Sequence, residues 1–190
     1  MGASRLVEGG PCRNILAVAV DPATLRIVNY PAPILRQQAE RIEKITSETQ
    51  AVAMGMLALM HEAAGIGLAA PQVGLSWRLF VANPTGDPGD DQIFINPELV
   101  APSRELVDQE EGCLSLPDVR AVIRRPLALT IRALNFDGQP FEFTSDELSA
   151  RIWQHEYDHL EGILILQRMS AIDRMANRRA IRGLEAEYRV

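Results

Sequence analysis

The stretch Gln154-His155-Glu156-Tyr157-Asp158-His159-Leu160, near the C-terminal end of the chain, places two histidines four residues apart with an acid directly after the first. In an α-helix, residues i and i+4 lie one turn apart on the same face, so both imidazoles can bind a single metal ion. Glu156 would then stand beside a ligand and could contact a water molecule at the metal rather than the metal itself. This stretch therefore predicts a helix that carries part of a metal site.

The surrounding sequence predicts where this helix and two others lie. Thr144-Ser145-Asp146-Glu147 fits a capping box and Gly162 can end a helix, so the motif helix should run from about Ser145 to Leu160. An earlier helix is predicted over residues 47–63, where Val52, Met56, Leu59 and Met60 recur at helical spacing and should belong to the core. A C-terminal helix is predicted to start after Ser170 to Asp173 and run towards the end of the chain.

Between the helices, short apolar runs bounded by turn residues are typical of strands. Asn135-Phe136-Asp137-Gly138 lies between two such runs and predicts a hairpin. Residues 65–74 are rich in glycine and are interpreted as a loop. We expect one α+β domain, with antiparallel β-sheets packed around the central motif helix. The predicted strands are Leu25–Val28, Leu79–Ala82, Gln92–Asn96, Ala121–Arg124 and Leu127–Leu134.

Length and composition limit the class of protein. The 190 residues suit one ordinary domain, which we place at residues 25–190, preceded by an extension of unknown role at residues 1–24. The net charge of −6 disfavours polyphosphate backbones, so we expect no DNA partner. No apolar run reaches the roughly 18 residues that span a bilayer, so we expect no membrane partner. Two cysteines make no disulfide framework, which favours a reducing, cytoplasmic setting.

Two histidines leave a catalytic metal one protein ligand short. Where one class of zinc proteases has a third histidine, this chain has Ile165; Glu185 and Glu187 fit a second class by spacing alone. Cys113 is the better candidate, because glycine and proline flank it in Glu110-Glu111-Gly112-Cys113-Leu114-Ser115-Leu116-Pro117 and a thiolate suits a transition metal. Cys12 has no such support and is interpreted as structural or surface-exposed.

A third segment, Gly67-Leu68-Ala69-Ala70-Pro71-Gln72, combines small residues with a side-chain amide. Small residues allow close approach of a substrate backbone, and the Gln72 amide could donate to a developing oxyanion. Taken by itself the segment is a weak signal, since glycine-rich loops are usually turns.

Together the three segments resemble the peptide deformylase family, which is marked by G-x-G-L-A-A-x-Q, E-G-C-L-S and Q-H-E-x-D-H-L motifs. They occur here in the family order and at similar spacing, and the resemblance covers residues 25–168. The matching segments are Gly65-Ile66-Gly67-Leu68-Ala69-Ala70-Pro71-Gln72, Glu111-Gly112-Cys113-Leu114-Ser115 and Gln154-His155-Glu156-Tyr157-Asp158-His159-Leu160.

The resemblance implies hydrolytic removal of the formyl group from the N-terminal formyl-methionine of nascent polypeptides. It implies that Glu156 transfers the proton, while the Gln72 amide and the Leu114 N–H stabilise the oxyanion. It also implies one divalent metal ion, typically ferrous iron, with zinc, nickel or cobalt as alternatives. The metal ligands implied by position are Cys113, His155 and His159.

The resemblance further assigns supporting roles. Glu111 and Arg125 match a carboxylate and its basic partner that orient a ligating histidine beside the substrate pocket. Arg120 matches a contact to the substrate backbone, which Ile66 and Gly67 would pair as an added strand. The side-chain pocket for methionine would be lined by Leu148, Arg151 and Ile152. An arginine is unexpected there. Either its stem faces the pocket and its charge faces water, or it alters side-chain preference or clashes with inhibitors.

The C-terminal segment is rich in arginine: Arg168, Arg174, Arg178, Arg179 and Arg182. In some relatives a C-terminal helix docks on the ribosome. A solvated amphipathic helix is the simpler explanation of the same residues, and we favour it. Two rival functions remain for the motif helix. A metallopeptidase would use a carboxylate or histidine as third ligand and would tolerate Cys113→Asp. A non-catalytic metal-binding domain would tolerate loss of Glu156 and Gln72.

Overall fold

The computed structural model describes residues 20–188, so Cys12 and most of the predicted extension lie outside the described residues. The helices are α1 (Ser47–Glu62), α2 (Leu148–Leu160), α3 (Ile165–Arg168), α4 (Ala171–Ala176) and α5 (Arg178–Glu187). The strands are β1 (Gly67–Ala69), β2 (Leu79–Ala82), β3 (Gln92–Val100), β4 (Leu106–Cys113), β5 (Leu116–Pro126), β6 (Leu129–Leu134) and β7 (Pro140–Ser145). Short 3₁₀ turns lie at Pro22–Thr24, Pro33–Arg36, Ala70–Val73 and Pro88–Asp90.

The strands form two antiparallel sheets. Five strands are ordered β1-β2-β3-β6-β7, and β4 pairs with β5 in a separate two-stranded sheet. The turn Asn135–Gly138 joins β6 to β7, which confirms the predicted hairpin. In the smaller sheet the register shifts between Gly112 and Cys113, so the strand is irregular where Cys113 lies. The α+β class with antiparallel sheets is therefore confirmed.

Alternation along β2 divides the core between the two faces of the larger sheet. Leu79 and Val81 pack in one buried cluster with α1, whereas Phe80 packs in another with Trp153 of α2. Because neighbouring strand residues point to opposite faces, four consecutive buried residues serve both helices. The Phe80 ring stacks on Phe94 of β3 with centroids 4.6 Å apart. The motif helix is thus held on one face of the larger sheet, with α1 on the other.

The predicted helices are confirmed in position, with one error in capping. Helix α1 matches the prediction, and Met56 and Met60 are fully buried. Helix α2 begins at Leu148 rather than Ser145, and its N-cap residue Glu147 makes no side-chain capping hydrogen bond. The predicted capping box was wrong because Thr144 and Ser145 instead end strand β7, where they pair with β6. Gly162 has a φ of +69° and follows the helix end as predicted.

Two predictions for the first half of the chain were wrong. Residues 25–28 form no strand: Leu25 is buried beside α1 and Val28 donates a single backbone hydrogen bond to the Gln72 carbonyl. Their apolar character serves packing rather than a strand ladder. The glycine-rich segment is more than a loop, because it contains β1. Strand β4 was not predicted, and β7 was implied by the predicted hairpin without being given bounds. Both strands carry many exposed residues. The sequence of β4 lacks alternation and resembles a loop, whereas β7 alternates only over the few residues around Phe141 and Phe143.

The C-terminal helix is divided in two. Ser170 caps α4 through its side chain, and Asn177 separates α4 from α5. The Asn177 side chain is used elsewhere, since its amide donates to the Arg120 carbonyl and its oxygen accepts from the Arg120 N–H. These bonds fasten the C-terminal segment to β5. Among the described residues, no helix has the length and apolar character needed to cross a membrane.

Candidate metal centre

Helix α2 and the end of β4 bring three metal-binding side chains together. His155 and His159 lie on one face of α2, with ring centroids 5.1 Å apart, and Cys113 comes from the smaller sheet. The Cys113 Sγ lies 3.3 Å from the His159 Nε2, and one donor atom from each of the three residues lies within 4.8 Å of the others. The structure thus brings Cys113 to the two predicted histidine ligands, which lie 42 and 46 residues further along the sequence.

The chemistry of this donor set fits a divalent transition metal. One thiolate and two imidazoles match the Cys/His combination of tetrahedral sites, which leaves a fourth position for water or substrate. Burial, followed by the proximity of His155, lowers the pKa of His159 well below its usual value and keeps that imidazole neutral. A neutral imidazole is the form that binds a metal. The residues present can therefore hold one metal ion.

Glu156 is buried beside these donors, with its carboxylate against the backbone of β1. A Cβ on Gly67 would lie 2.3 Å from the Glu156 Oε1, so glycine is required there to make room for the carboxylate. The Glu156 Oε2 has no hydrogen-bond partner among the described residues. Burial raises the pKa of Glu156 to about 7. A carboxyl group with this pKa can both accept and return a proton near neutral pH.

Gln72 approaches the same centre from the turn after β1. Its side-chain oxygen accepts a 2.8 Å hydrogen bond from the Ala69 N–H, which fixes the orientation of the amide. Its Nε2 lies 3.5 Å from the Cys113 Sγ and 3.3 Å from the Ser115 hydroxyl oxygen. The Gln72 amide nitrogen is thus a donor held next to the ligands, and Ser115 is a support that the sequence analysis missed.

Glu111 is fully occupied by hydrogen-bond donors. Its Oε1 accepts from the Arg125 Nε and the Arg151 Nη1, both at 2.6 Å. Its Oε2 accepts from the Arg125 Nη2 at 2.9 Å and lies 3.0 Å from the His155 Nδ1. Burial alone would raise the pKa of Glu111, but the hydrogen bonds from Arg125 and His155 outweigh it and hold that pKa well below its usual range. Glu111 is therefore a fixed anion that orients the His155 ring.

Arg151 differs from its predicted arrangement. It is buried, and its guanidinium donates to Glu111 and to the backbone carbonyls of Val107 and Ile123. The expectation that its charge faces water was wrong, because an acid and two carbonyl oxygens are available inside. The unexpected arginine is thus a part of the network around Glu111.

A second acid in this network, Asp158, was missed although it lies within the motif. It is buried, accepts from the Arg125 Nη1 at 2.8 Å and is paired with Arg168. Arg168 remains partly exposed, but its guanidinium reaches inward to Asp158, which its reading as part of an exposed basic segment did not include. The motif could have suggested that Asp158, if buried, must meet a cation, but not which cation it meets.

The predicted substrate residues meet in one cavity of about 610 Å³ that opens from the metal-binding side chains. Ile66 and Leu148 lie half exposed at its edge, Ile152 is buried, and Arg120 is exposed. The Leu114 backbone lies next to Cys113 in the lining. Lining residues that the sequence analysis missed are Gln109, Glu110, Pro117, Asp118 and Val119.

Comparison with known proteins gives a consistent result. A family model described as polypeptide deformylase matches residues 24–175. A peptide deformylase of Acidobacterium capsulatum is 44% identical over 84% of this chain and 94% of its own length. Peptide deformylase 1B of Arabidopsis thaliana, chloroplastic/mitochondrial, is 41% identical over 86% of this chain, which spans 61% of that relative.

Solved structures agree with the sequence comparison. A plant peptide deformylase 1B is similar with a TM-score of 0.83 and 41% identity, covering 87% of this chain and 91% of that structure. A peptide deformylase of Plasmodium falciparum is similar with a TM-score of 0.84 and 34% identity, covering 86% and 97%.

Proposed function

The chain belongs to the peptide deformylase family, and from that premise we propose which of its residues perform the reaction. It is an enzyme that removes the formyl group from nascent peptides, the known activity of the family. Hydrolysis of the formyl amide releases formate and leaves a free amino terminus. The observation that carries the proposal is the meeting of three metal-binding donors beside a cavity that Cys113, His155 and the buried Glu156 line.

We assign the metal to Cys113, His155 and His159, with ferrous iron as the native ion and zinc, nickel or cobalt as substitutes. When bound, such an ion acts as a Lewis acid and makes a water molecule nucleophilic near neutral pH. The chain holds its own groups ready for that chemistry. Arg125 and Arg151 fix Glu111, and Glu111 fixes the His155 ring by its Nδ1.

Glu156 is assigned the proton transfers. Its carboxylate accepts the proton of the attacking water and then donates it to the nitrogen of the departing methionine. The pKa of about 7, caused by burial, makes both directions accessible at neutral pH. Gly67 supports this role, since its missing side chain leaves the space that the carboxylate occupies.

The Gln72 amide and the Leu114 N–H are assigned to the oxyanion that forms on the formyl group. The Gln72 nitrogen is already aimed by the hydrogen bond from Ala69 and lies beside Cys113. A fixed donor of this kind typically lowers a barrier by about 3 kcal/mol. No rearrangement of Gln72 is needed when charge develops, because its orientation exists before substrate binds.

The substrate backbone is assigned to the free edge of β1. Strand β1 pairs with β2 on one side, and Ile66 and Gly67 line the cavity on the other. A peptide can therefore add as a strand, with Arg120 at the opposite rim contacting its backbone. The methionine side chain is assigned to the space between Leu148 and Ile152, closed by the stem of Arg151.

We propose that the enzyme works in the cytoplasm on nascent chains, and that its C-terminal segment is a solvated surface. Arg168 is paired with Asp158, and Arg174 donates to the Leu166 carbonyl, so both side chains already make contacts within the fold. Arg178, Arg179 and Arg182 are exposed on α5. Docking of α5 on the ribosome is the alternative for these three residues.

Substrate discrimination tests the function. Protein loaded anaerobically with iron is expected to release formate from formyl-Met-Ala-Ser and to leave acetyl-Met-Ala-Ser and Met-Ala-Ser intact. Cleavage of a peptide bond in Met-Ala-Ser, retained in Cys113→Asp, would instead identify a metallopeptidase. A protein that binds one metal ion but hydrolyses none of the three peptides would be a binding domain.

A further inference from the structure

Asp158 is a buried carboxylate that no assigned step uses. It lies one residue before His159, and its side chain is 8% exposed. Its Oδ2 accepts from the Arg125 Nη1 at 2.8 Å, and both of its oxygens accept from Arg168. Arg168 ends α3 and is 39% exposed, so it reaches this acid from the surface.

Arg125 is shared between two acids. Its Nε and Nη2 form a fork on Glu111, while its Nη1 serves Asp158 and the Gln154 carbonyl. Its side chain is 3% exposed, so water cannot replace these contacts. An unbroken row of alternating charges therefore leads from the surface to a metal ligand. In order, it consists of Arg168, Asp158, Arg125, Glu111 and His155.

We propose that Arg168 is a positioning residue for the metal centre, because it satisfies Asp158 and thereby leaves Arg125 aligned on Glu111. Without Arg168, the Asp158 Oδ1 would lose its hydrogen-bond donor and have no other among the described residues. Arg125 is the cation already in contact and would have to rotate to serve both oxygens. That rotation breaks its fork on Glu111 and releases the His155 ring.

This inference rests on the proposed ligands Cys113, His155 and His159, and it predicts an effect on metal retention at a distance. Groups that orient metal ligands typically change metal affinity by about 10- to 100-fold. Since Arg168 acts on His155 through three intervening residues, Asp158, Arg125 and Glu111, the lower end of that range is expected. A residue that merely stabilises the fold would change the melting temperature without changing metal retention.

The test measures the rate at which the Co²⁺-loaded protein loses its ion to excess EDTA, together with its visible absorption spectrum. Arg168→Met should lose Co²⁺ about 10-fold faster than the unmodified protein and shift the spectrum. Arg168→Lys, which keeps the charge but not the fork, should lose it only a few-fold faster. The control is Arg124→Met, which breaks a similar two-bond pair with Asp108 on the exposed surface and should change neither readout.

A second background separates positioning from general loss of stability. In an Asp158→Asn protein the acid that competes for Arg125 is gone, so adding Arg168→Met should accelerate Co²⁺ loss by less than twofold. Equal acceleration in both backgrounds, or an unchanged rate in a folded Arg168→Met protein, would overturn the proposal. If Arg168→Met does not fold, Arg168→Lys in the two backgrounds decides in the same way. An unmodified protein that retains no Co²⁺ would instead contradict the ligand assignment itself.

Discussion

The two sides of the metal centre differ in how completely their polar groups are paired. On the Glu111 side, both carboxylate oxygens carry two contacts each, and the His155 Nδ1 is held. On the Glu156 side, the Glu156 Oε2 and the His159 Nδ1 have no hydrogen-bond partner among the described residues. Both sides are buried, so the difference is not one of access to solvent. The paired side is a scaffold that holds the ligands in place. The unpaired side keeps buried polar atoms available for the reaction.

Substitutions on the paired side should cause the larger loss in the free energy of unfolding. Glu111→Ala leaves Arg151 as a buried cation without its acid and removes one of the two acids that pair with Arg125, and we expect a loss of about 3–5 kcal/mol in the free energy of unfolding. Urea unfolding of the metal-free protein measures this loss. The matched control is Glu110→Ala, the exposed neighbour on the same strand, with an expected loss of less than about 1 kcal/mol. Equal losses in the two variants would show that the network around Glu111 is not a scaffold.

Substitutions on the unpaired side should lower catalytic activity more than stability. Gln72→Ala removes the aimed amide, and we expect kcat to fall about 10²- to 10³-fold with metal content unchanged. Steady-state formate release at measured metal content checks this. Gln72→Glu is the matched control for packing, since it keeps the shape but replaces the donor, and it should be as impaired. Full activity in Gln72→Glu would contradict the oxyanion assignment.

The pH dependence of the free energy of unfolding should reveal the titration of Glu156, the acid on the unpaired side. The folded pKa of Glu156, about 7, lies above its ordinary value of 4.5, so its protonated form is favoured by folding. Its stabilising effect is therefore complete below pH 4.5 and is lost as the pH rises through 7. In metal-free protein, Glu156→Gln should gain about 3 kcal/mol relative to the unmodified protein between these limits. Urea unfolding at pH 5 and pH 8 measures the change, and a constant difference would contradict it.

The smallest predicted effect is that of replacing Ser115, which tests how far this residue fixes the Gln72 amide. Ser115 is fully buried and contacts the Gln72 nitrogen, so Ser115→Ala removes one neutral hydrogen bond and keeps the packing. We expect a loss of about 1 kcal/mol in stability and a few-fold loss in kcat, because the bond from Ala69 still fixes the amide. Thermal unfolding and formate release check the two values. A loss in kcat as large as that of Gln72→Ala would assign the aiming of the amide to Ser115.

The sequence analysis was most successful where structure is local. The placement of His155 and His159 on one helix face follows from helical spacing alone. The helix start was wrong because Thr144 and Ser145 had partners in β6, which a capping pattern cannot reveal. Strand β4 was missed because much of its length is exposed and its sequence lacks alternation. Strand β7 was implied by the predicted hairpin, but its short alternating stretch gave no bounds.

The site could be predicted as a set of residues but not as a network. Cys113 was reached from the missing third ligand, and the structure brings it to the histidines. Arg151 of α2 was misjudged because its acid, Glu111, lies 40 residues away in strand β4. The pairing of Asp158 with Arg168 was missed for a related reason. Helical spacing shows that two residues share a face, but it does not show which buried cation meets which acid.

Formate release from formyl-Met-Ala-Ser by Glu156→Ala tests the central claim most directly. The variant and the unmodified protein are compared after anaerobic loading with iron to equal, measured metal content. Since Glu156 transfers the proton but is not a ligand, we predict unchanged metal binding and a loss of about 10²- to 10⁴-fold in kcat. Unimpaired release by the iron-loaded variant would contradict the assignment of Glu156 and, with it, the role of the unpaired side of the centre.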